Sequence, residues 1–279
     1  MPVAPPTINH SSKSARMPTW FIPHGAGPCF FMEWSPTHAW DRTADFLREL
    51  AKTLPARPKA IVIVSAHWLE STVSVTGNSN PELIYDYYGF PDHTYELQYP
   101  AKGDPFLAEL IVQRLNDAGV LASINPTRGF DHGMFIPMML MFPHADIPVV
   151  QLSLNSNLDP QAHLDMGRAL ASLRDEGVLI IGSGMSFHNM RGYGKAQFGP
   201  ISDTFDNWLS KTVESDPATR NKGLADWATA PSARQSHPLG EEEHLLPLMV
   251  VAGAAPNGMG KRVFSDRVLE TTLSAFVFQ

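Results

Sequence analysis

AIVIVSAHW, residues 60–68, is the stretch that decides the fold. Residues 60–64 are apolar without interruption, and Ile61, Val62, Ile63 and Val64 are β-branched, which suits a pleated strand and restricts side-chain freedom in a helix. A strand with no polar face has to be covered on both sides, as the central strands of a parallel sheet are. The run then ends in Ser65, Ala66, His67 and Trp68, so an imidazole stands where the strand gives out. In open α/β sheets the carboxyl ends of the strands are where ligands and catalytic groups collect.

Outward from this strand the same grammar repeats. TWFIP (19–23) reads as a short buried strand running into a Pro-Gly loop, and IPVVQLSLN (147–155) and GVLIIGSG (177–184) read as further strands. Apolar spacings of three and four predict helices over THAWDRTADFLRELAKTL (37–54), PFLAELIVQRLNDAG (105–119) and AHLDMGRALASLRDEG (162–177). MFIPMMLMFP (134–143) is a Met-rich apolar helix carrying an early proline, and residues 201–230 are helical with Trp208 and Trp227 as packing anchors. EEHLLPLMVVAGAA (242–255) is an apolar helix, and RVFSDR and LSAFVFQ are closing strands. The alternation predicts one α/β domain over residues 17–279, with a central mixed, largely parallel sheet flanked by helices. Residues 1–16, rich in Pro, Ser and Asn and without periodicity, are expected to be a disordered tail that includes His10, to which no function is given.

Composition narrows the function. With 279 residues, 43% hydrophobic and 18% charged, the chain has the make-up of a globular protein with a sizeable core. A net charge of -7 and the lack of a basic, aromatic-interleaved stripe argue against nucleic acid as a partner. No apolar run approaches a membrane span, and the lone Cys29 suits a reducing compartment, so the expectation is a soluble cytoplasmic protein, monomer or homodimer.

The eleven histidines matter through their neighbours. His24 follows TWFIP and precedes Gly25, Ala26 and Gly27; His67 ends AIVIVSA; His188 lies a few residues past GVLIIGSG. A hydrogen-bonded structural role is the default for any one of them, but three in corresponding places point to a shared site. His132, in GFDHGMFIP, follows Asp131, which is either the N-cap of the next helix or the group that orients the ring. His244 follows Glu241, Glu242 and Glu243, which complement a helix dipole or add a metal ligand. Three neutral imidazoles with open positions are a donor set for a catalytic divalent metal. Between Tyr85 and Tyr99 aromatics are dense, and Tyr87, Tyr88, Phe90, His93 and Tyr95 are either substrate contacts or packing under a loop. His237 is a candidate for the pocket wall; His38, His144 and His163 read as surface residues without function.

With these stretches in view, FIPHGAGP, AIVIVSAHW, YDYYGFPDHTYELQYPAKGDP, GFDHGMFIPMMLMFPHADIPVVQLSLN, IGSGMSFHNM and HPLGEEEHLLPL, the chain resembles the extradiol ring-cleavage dioxygenases of the DOPA 4,5-dioxygenase type, in the class III (protocatechuate 4,5-dioxygenase-like) superfamily. The resemblance implies His24, His67 and His244 as metal ligands, His188 as acid/base and His132 as a further catalytic histidine. A carboxylate third ligand in the wider superfamily keeps Glu243 open as the alternative to His244. It implies Fe(II) for activity, with Zn(II) able to occupy the same site, and a catechol-type small molecule and O2 as reactants; on the residues themselves, Tyr88, His93 and His237 are the candidates for contact with the substrate. Two rival readings are a zinc hydrolase, since three histidines and a water also describe a hydrolytic centre, and a scaffold without chemistry.

Overall fold

Residues 15–279 are described by a computed structural model, so the expected tail and His10 lie largely or wholly outside the described residues. In chain order the elements are β1 (Thr19–Pro23), α1 (Asp41–Leu50), β2 (Ala60–Glu70), β3 (Val73–Thr76), β4 (Leu83–Ile84), α2 (Pro105–Asp117), β5 (Ala122–Asn125), β6 (Phe130–Asp131), α3 (His132–Met141) and β7 (Val149–Asn155). There follow α4 (Pro160–Leu170), β8 (Val178–Gly184), α5 (Gly199–Val213), α6 (Pro217–Ala225), α7 (Ala233–Ser236), α8 (Leu246–Gly253), β9 (Gly260–Val268) and β10 (Thr271–Phe278).

Eight strands form one sheet in the order β5-β3-β7-β2-β8-β1-β10-β9. The centre is parallel: β2 pairs with both β7 and β8, and β8 with β1. The closing hairpin β9–β10 adds antiparallel strands beside β1. The sheet is therefore mixed and largely parallel at its core, as the uninterrupted apolar runs require. Alternation along the strands splits the core in two. Val62, Val64, Phe21, Val150 and Ile180 face a layer built by α2, α4, α5 and α8, while Ile61, Ile63, Trp20, Ile22 and Ile181 face α1 and α3. Burying both faces of β1, β2, β7 and β8 fixes their register, because a one-residue slip would exchange the two sets.

Several boundaries differ from the sequence reading. α1 begins at Asp41 because residues 37–40 form a turn in which His38 takes a φ of 67°. The helical region 201–230 breaks at Asp216, whose carboxylate caps α6 by accepting from the backbone N–H groups of Ala218 and Thr219, with Pro217 at the first helical position. α8 starts only at Leu246, leaving Glu242–Leu245 as a turn, and β3, β4, β5 and β6 are strands that hydrophobic periodicity does not reveal. No helix of the described residues is long and apolar enough to cross a membrane.

Candidate metal centre

The site lies at the carboxyl ends of β1, β2 and β8. β2 stops following β7 regularly after Val64: the next pair is Leu69 with Leu154, five steps along β2 against two along β7. Ser65–Trp68 are thus released from the β7 ladder, and irregularities of this kind re-aim side chains next to functional sites. His67 sits in that stretch. His24 leaves β1 with its N–H donating to the Gly184 carbonyl (3.3 Å) of β8. Gly25, next in line, has a φ of 86°, and a Cβ there would strike Cys29 Sγ, so only glycine turns the chain at this point. His244 is brought in by the turn before α8, its carbonyl accepting from Met185 N (2.9 Å) just beyond β8.

The rings converge. His24 Nε2 and His67 Nε2 are 3.1 Å apart. The His244 ring centroid is 5.1 Å from that of His24 and 4.9 Å from that of His67. His132 adds a ring 3.9 Å from His67 and 5.6 Å from His24. Ligating atoms of His24, His67 and His132 form one mutually close group, and those of His188, Glu243 and His244 another.

The hydrogen bonds set the tautomers. Ser183 donates its one hydroxyl proton to the Gly133 carbonyl, so its oxygen accepts from His24 Nδ1–H (3.1 Å), leaving His24 Nε2 as a lone pair. Glu243 Oε1 accepts from His244 Nδ1–H at 2.8 Å, which leaves His244 Nε2 free in the same way. In the EEEH segment the His244 ring therefore lies beside those of His24 and His67, while the Glu243 carboxylate holds its other nitrogen. Burial, followed by the mutual repulsion of the histidines, keeps His24 and His244 well below the usual histidine range and His67 at about 3. All three are neutral donors at pH 7, the form a metal requires. Two imidazole nitrogens bound to one cation at about 2.0–2.1 Å stand roughly 3 Å apart. His24 Nε2 and His67 Nε2 have that spacing, so this pair, with the His132 and His244 rings beside it, fits a divalent metal.

His132 opens α3, and Asp131 is its N-cap, accepting from Met134 N at 3.3 Å. Asp131 is fully buried and also accepts from Ser65 Oγ (2.7 Å), Arg128 (3.1 Å) and Gln151. Burial and then the Asp86 charge push its carboxyl upward. The group that orients the ring is Asp86, which sequence reasoning missed: its Oδ1 accepts from His132 N (2.9 Å) and His132 Nδ1 (2.8 Å). Burial pushes Asp86 up, but its hydrogen bonds and charge contact with His132 outweigh this and hold it below the usual carboxylate range. The only hint in the sequence is an acid set among tyrosines in YDYYGF.

His188 lies flat against His244, centroids 3.4 Å apart and planes 12° apart. Its backbone N–H donates to the Ser236 carbonyl (3.0 Å), while ring Nδ1 is buried, without a hydrogen-bond partner, 3.7 Å from Glu243 Oε1. Burial lowers its pKa to about 4, and burial raises that of Glu243.

His67, His132, His188 and His244 open into a cavity of about 380 Å³ that Tyr87 and Phe90 help to line. Three expected substrate contacts do not join it. Tyr88 is 91% exposed, and His93 is an exposed residue whose Nε2 donates to the Phe31 carbonyl (3.0 Å). His237 is fully buried away from the cavity: its Nε2 donates to the Ser186 carbonyl at 3.0 Å and its ring packs against Phe205 and Trp227. His163, expected at the surface, is buried too, its Nε2 accepting from Asn155 N at 3.1 Å.

Fold and site together define an α/β enzyme with a histidine centre able to hold one divalent cation. Residues 18–277 match the family described as the catalytic LigB subunit of aromatic ring-opening dioxygenase. The chain belongs to that family, and is an oxidoreductase of the extradiol ring-cleaving class. It is 36% identical to a 4,5-DOPA dioxygenase extradiol of Escherichia coli K12, over 86% of each chain. It is 39% identical to one of Beta vulgaris over 85% of this chain and 86% of that one. The dioxygenase tasH of Hapsidospora irregularis is 37% identical over 93% of this chain and 84% of its own length. A solved structure of an uncharacterized Escherichia coli K12 protein superposes with a TM-score of 0.76 at 30% identity, covering 95% of this chain and all of that one.

Proposed function

We propose that this enzyme opens the ring of a catechol-type substrate with O2, with Fe(II) held by His24, His67 and His244, His188 as acid/base and His132 as a hydrogen-bonding partner of the reactants. The observation that carries the reading is the meeting of His67, His132, His188 and His244 at one apolar cavity, with the His24 ring packed against three of them and Nε2 of His24 and His244 left as lone pairs by Ser183 and Glu243. Iron bound there supplies the electron relay between an ortho-diphenol and dioxygen. Both oxygen atoms enter the product as the ring C–C bond next to the diol breaks, giving an aldehyde and a carboxylate, so no external reductant is consumed.

The chain's own part is positioning and proton transfer. His188 is neutral at pH 7 and its ring lines the cavity, so it can take a phenolic proton and later return it. His132, its Nδ1–H engaged by Asp86, presents Nε2 to the hydroxyl or oxygen of the reactants. The apolar walls lower the polarity around these groups, which strengthens each of these contacts. The relatives named for 4,5-DOPA cleavage support a catechol as substrate. Zn(II) suits the same three nitrogens and can replace iron in purified protein without turnover. The test is oxygen uptake with a catechol panel by anaerobically Fe(II)-reconstituted protein beside a Zn(II)-loaded control. Iron-dependent uptake with a yellow semialdehyde product is expected; no uptake at full iron occupancy would return the zinc hydrolase or scaffold reading.

A further inference from the structure

The cavity that receives the substrate has walls of one kind. Trp34, Phe90, Met185, Met190 and Leu269 line it beyond the histidines, and Gly25–Gly27 leave its floor bare of side-chain charge. The two phenols in the wall are already committed: Tyr87 donates to the Thr94 carbonyl (2.6 Å) and Tyr193 to the Phe187 carbonyl (2.7 Å). Among the described residues no Lys, Arg, Asp or Glu lines the cavity. Arg191, which follows Met190, is exposed and outside the lining. At the mouth stands Met190, 68% exposed, an apolar side chain where a charged ligand would need a counter-charge.

Resting on the catechol-cleavage reading, we propose that the substrate is an uncharged catechol carrying an apolar substituent, rather than one bearing a carboxylate or an amino-acid head. A carboxylate carried into these walls loses its hydration and meets no Lys or Arg, and one left at the mouth meets the apolar Met190. An alkyl or aryl substituent does gain, each buried methylene adding roughly fourfold in affinity. The volume of about 380 Å³ lies near the lower end of the roughly 300–1,000 Å³ range of ligand pockets, room for one ring and a compact substituent. Specificity then resides in Trp34, Phe90 and Met190, which set the width and polarity of the space beyond the diol.

The experiment compares catechol, 4-methylcatechol and 4-ethylcatechol with 3,4-dihydroxyphenylacetate and dihydroxyphenylalanine. Dissociation constants come from anaerobic calorimetry on the metal-loaded protein, and kcat/KM from oxygen uptake. Expected are a stepwise rise along the alkyl series and at least a tenfold preference for 4-ethylcatechol over both charged compounds in each readout. Met190→Arg should narrow the gap to 3,4-dihydroxyphenylacetate at least threefold. Equal or tighter binding of the charged compounds by the unaltered enzyme overturns the inference, even if ring cleavage is observed. Preferential binding of the alkyl catechols without any oxygen uptake supports the inference about the cavity and overturns the proposed reaction.

Discussion

Asp86→Asn replaces a carboxylate by an amide of nearly the same shape and changes what faces His132. In the native site one carboxylate oxygen accepts from both the backbone N–H of His132 (2.9 Å) and its ring Nδ1–H (2.8 Å), and the other lies 3.8 Å from His67 Nδ1. The amide can still accept from the backbone, but its NH2 can donate to Nδ1, which would move the ring proton to Nε2 and turn the reactive nitrogen away from its task. Charge-assisted hydrogen bonds of this kind contribute about 1.5–3 kcal/mol. If that stabilisation is felt in the transition state, kcat/KM should fall by about 10–100-fold, in line with the usual effect of partners behind metal-site histidines. The assay is oxygen uptake with the best catechol of the panel, alongside metal content and the thermal midpoint of the same preparation. Asp86→Glu, which keeps the charge, should recover part of the loss. Full activity in Asp86→Asn with native metal content would refute the role given to this carboxylate.

The other expectations share the same logic. His188→Ala should lower turnover by two or more orders of magnitude while stoichiometric metal is retained, measured by oxygen uptake and metal analysis; concurrent loss of metal would contradict the acid/base assignment. His24→Ala, His67→Ala and His244→Ala should each abolish tight metal binding, and iron retained at one per chain in any of them removes that residue from the ligand set. A Cβ at Gly133 would meet Ser65 Oγ and lie 3.0 Å from His67 Cδ2, so Gly133→Ala should destabilise the fold by about 1–3 kcal/mol in denaturant titration and weaken metal binding. Burial holds His237 at about 3 and His188 at about 4, below the value of 6.5 for an unperturbed histidine. The unfolded chain then binds more protons than the folded one between those values. Stability of the metal-free protein should be full above pH 6.5 and decline as the pH falls toward 4, each such histidine contributing about 1.4 kcal/mol per pH unit. Denaturant midpoints that do not change between pH 7 and pH 5 would contradict that burial.

The sequence by itself determined the architecture and the placing of several histidines at the ends of strands. Runs such as AIVIV and GVLII are short, β-branched and apolar on both faces, as strands covered on both sides are, so the parallel core and the strand-end positions of His24, His67 and His188 were legible from local pattern. The convergence of His132 and His244 on the same cavity was suggested by neighbouring residues and by resemblance. It is the packing of α3 and of the turn before α8 against the ends of β2 and β8 that brings it about. Only the tertiary structure assigned Asp86 to His132 and gave Asp131 the helix cap, since Asp86 and His132 are 46 residues apart and no periodicity links them. It likewise separated Tyr87 and Phe90 from Tyr88 and His93, close neighbours in one loop of which only the first two reach the cavity. His237, seven residues before His244, turned inward to a different aromatic cluster. Spacing along a strand or helix fixes which face a residue shares; in a loop no repeat fixes it, and the side chain's direction is set by what packs against it from elsewhere in the chain.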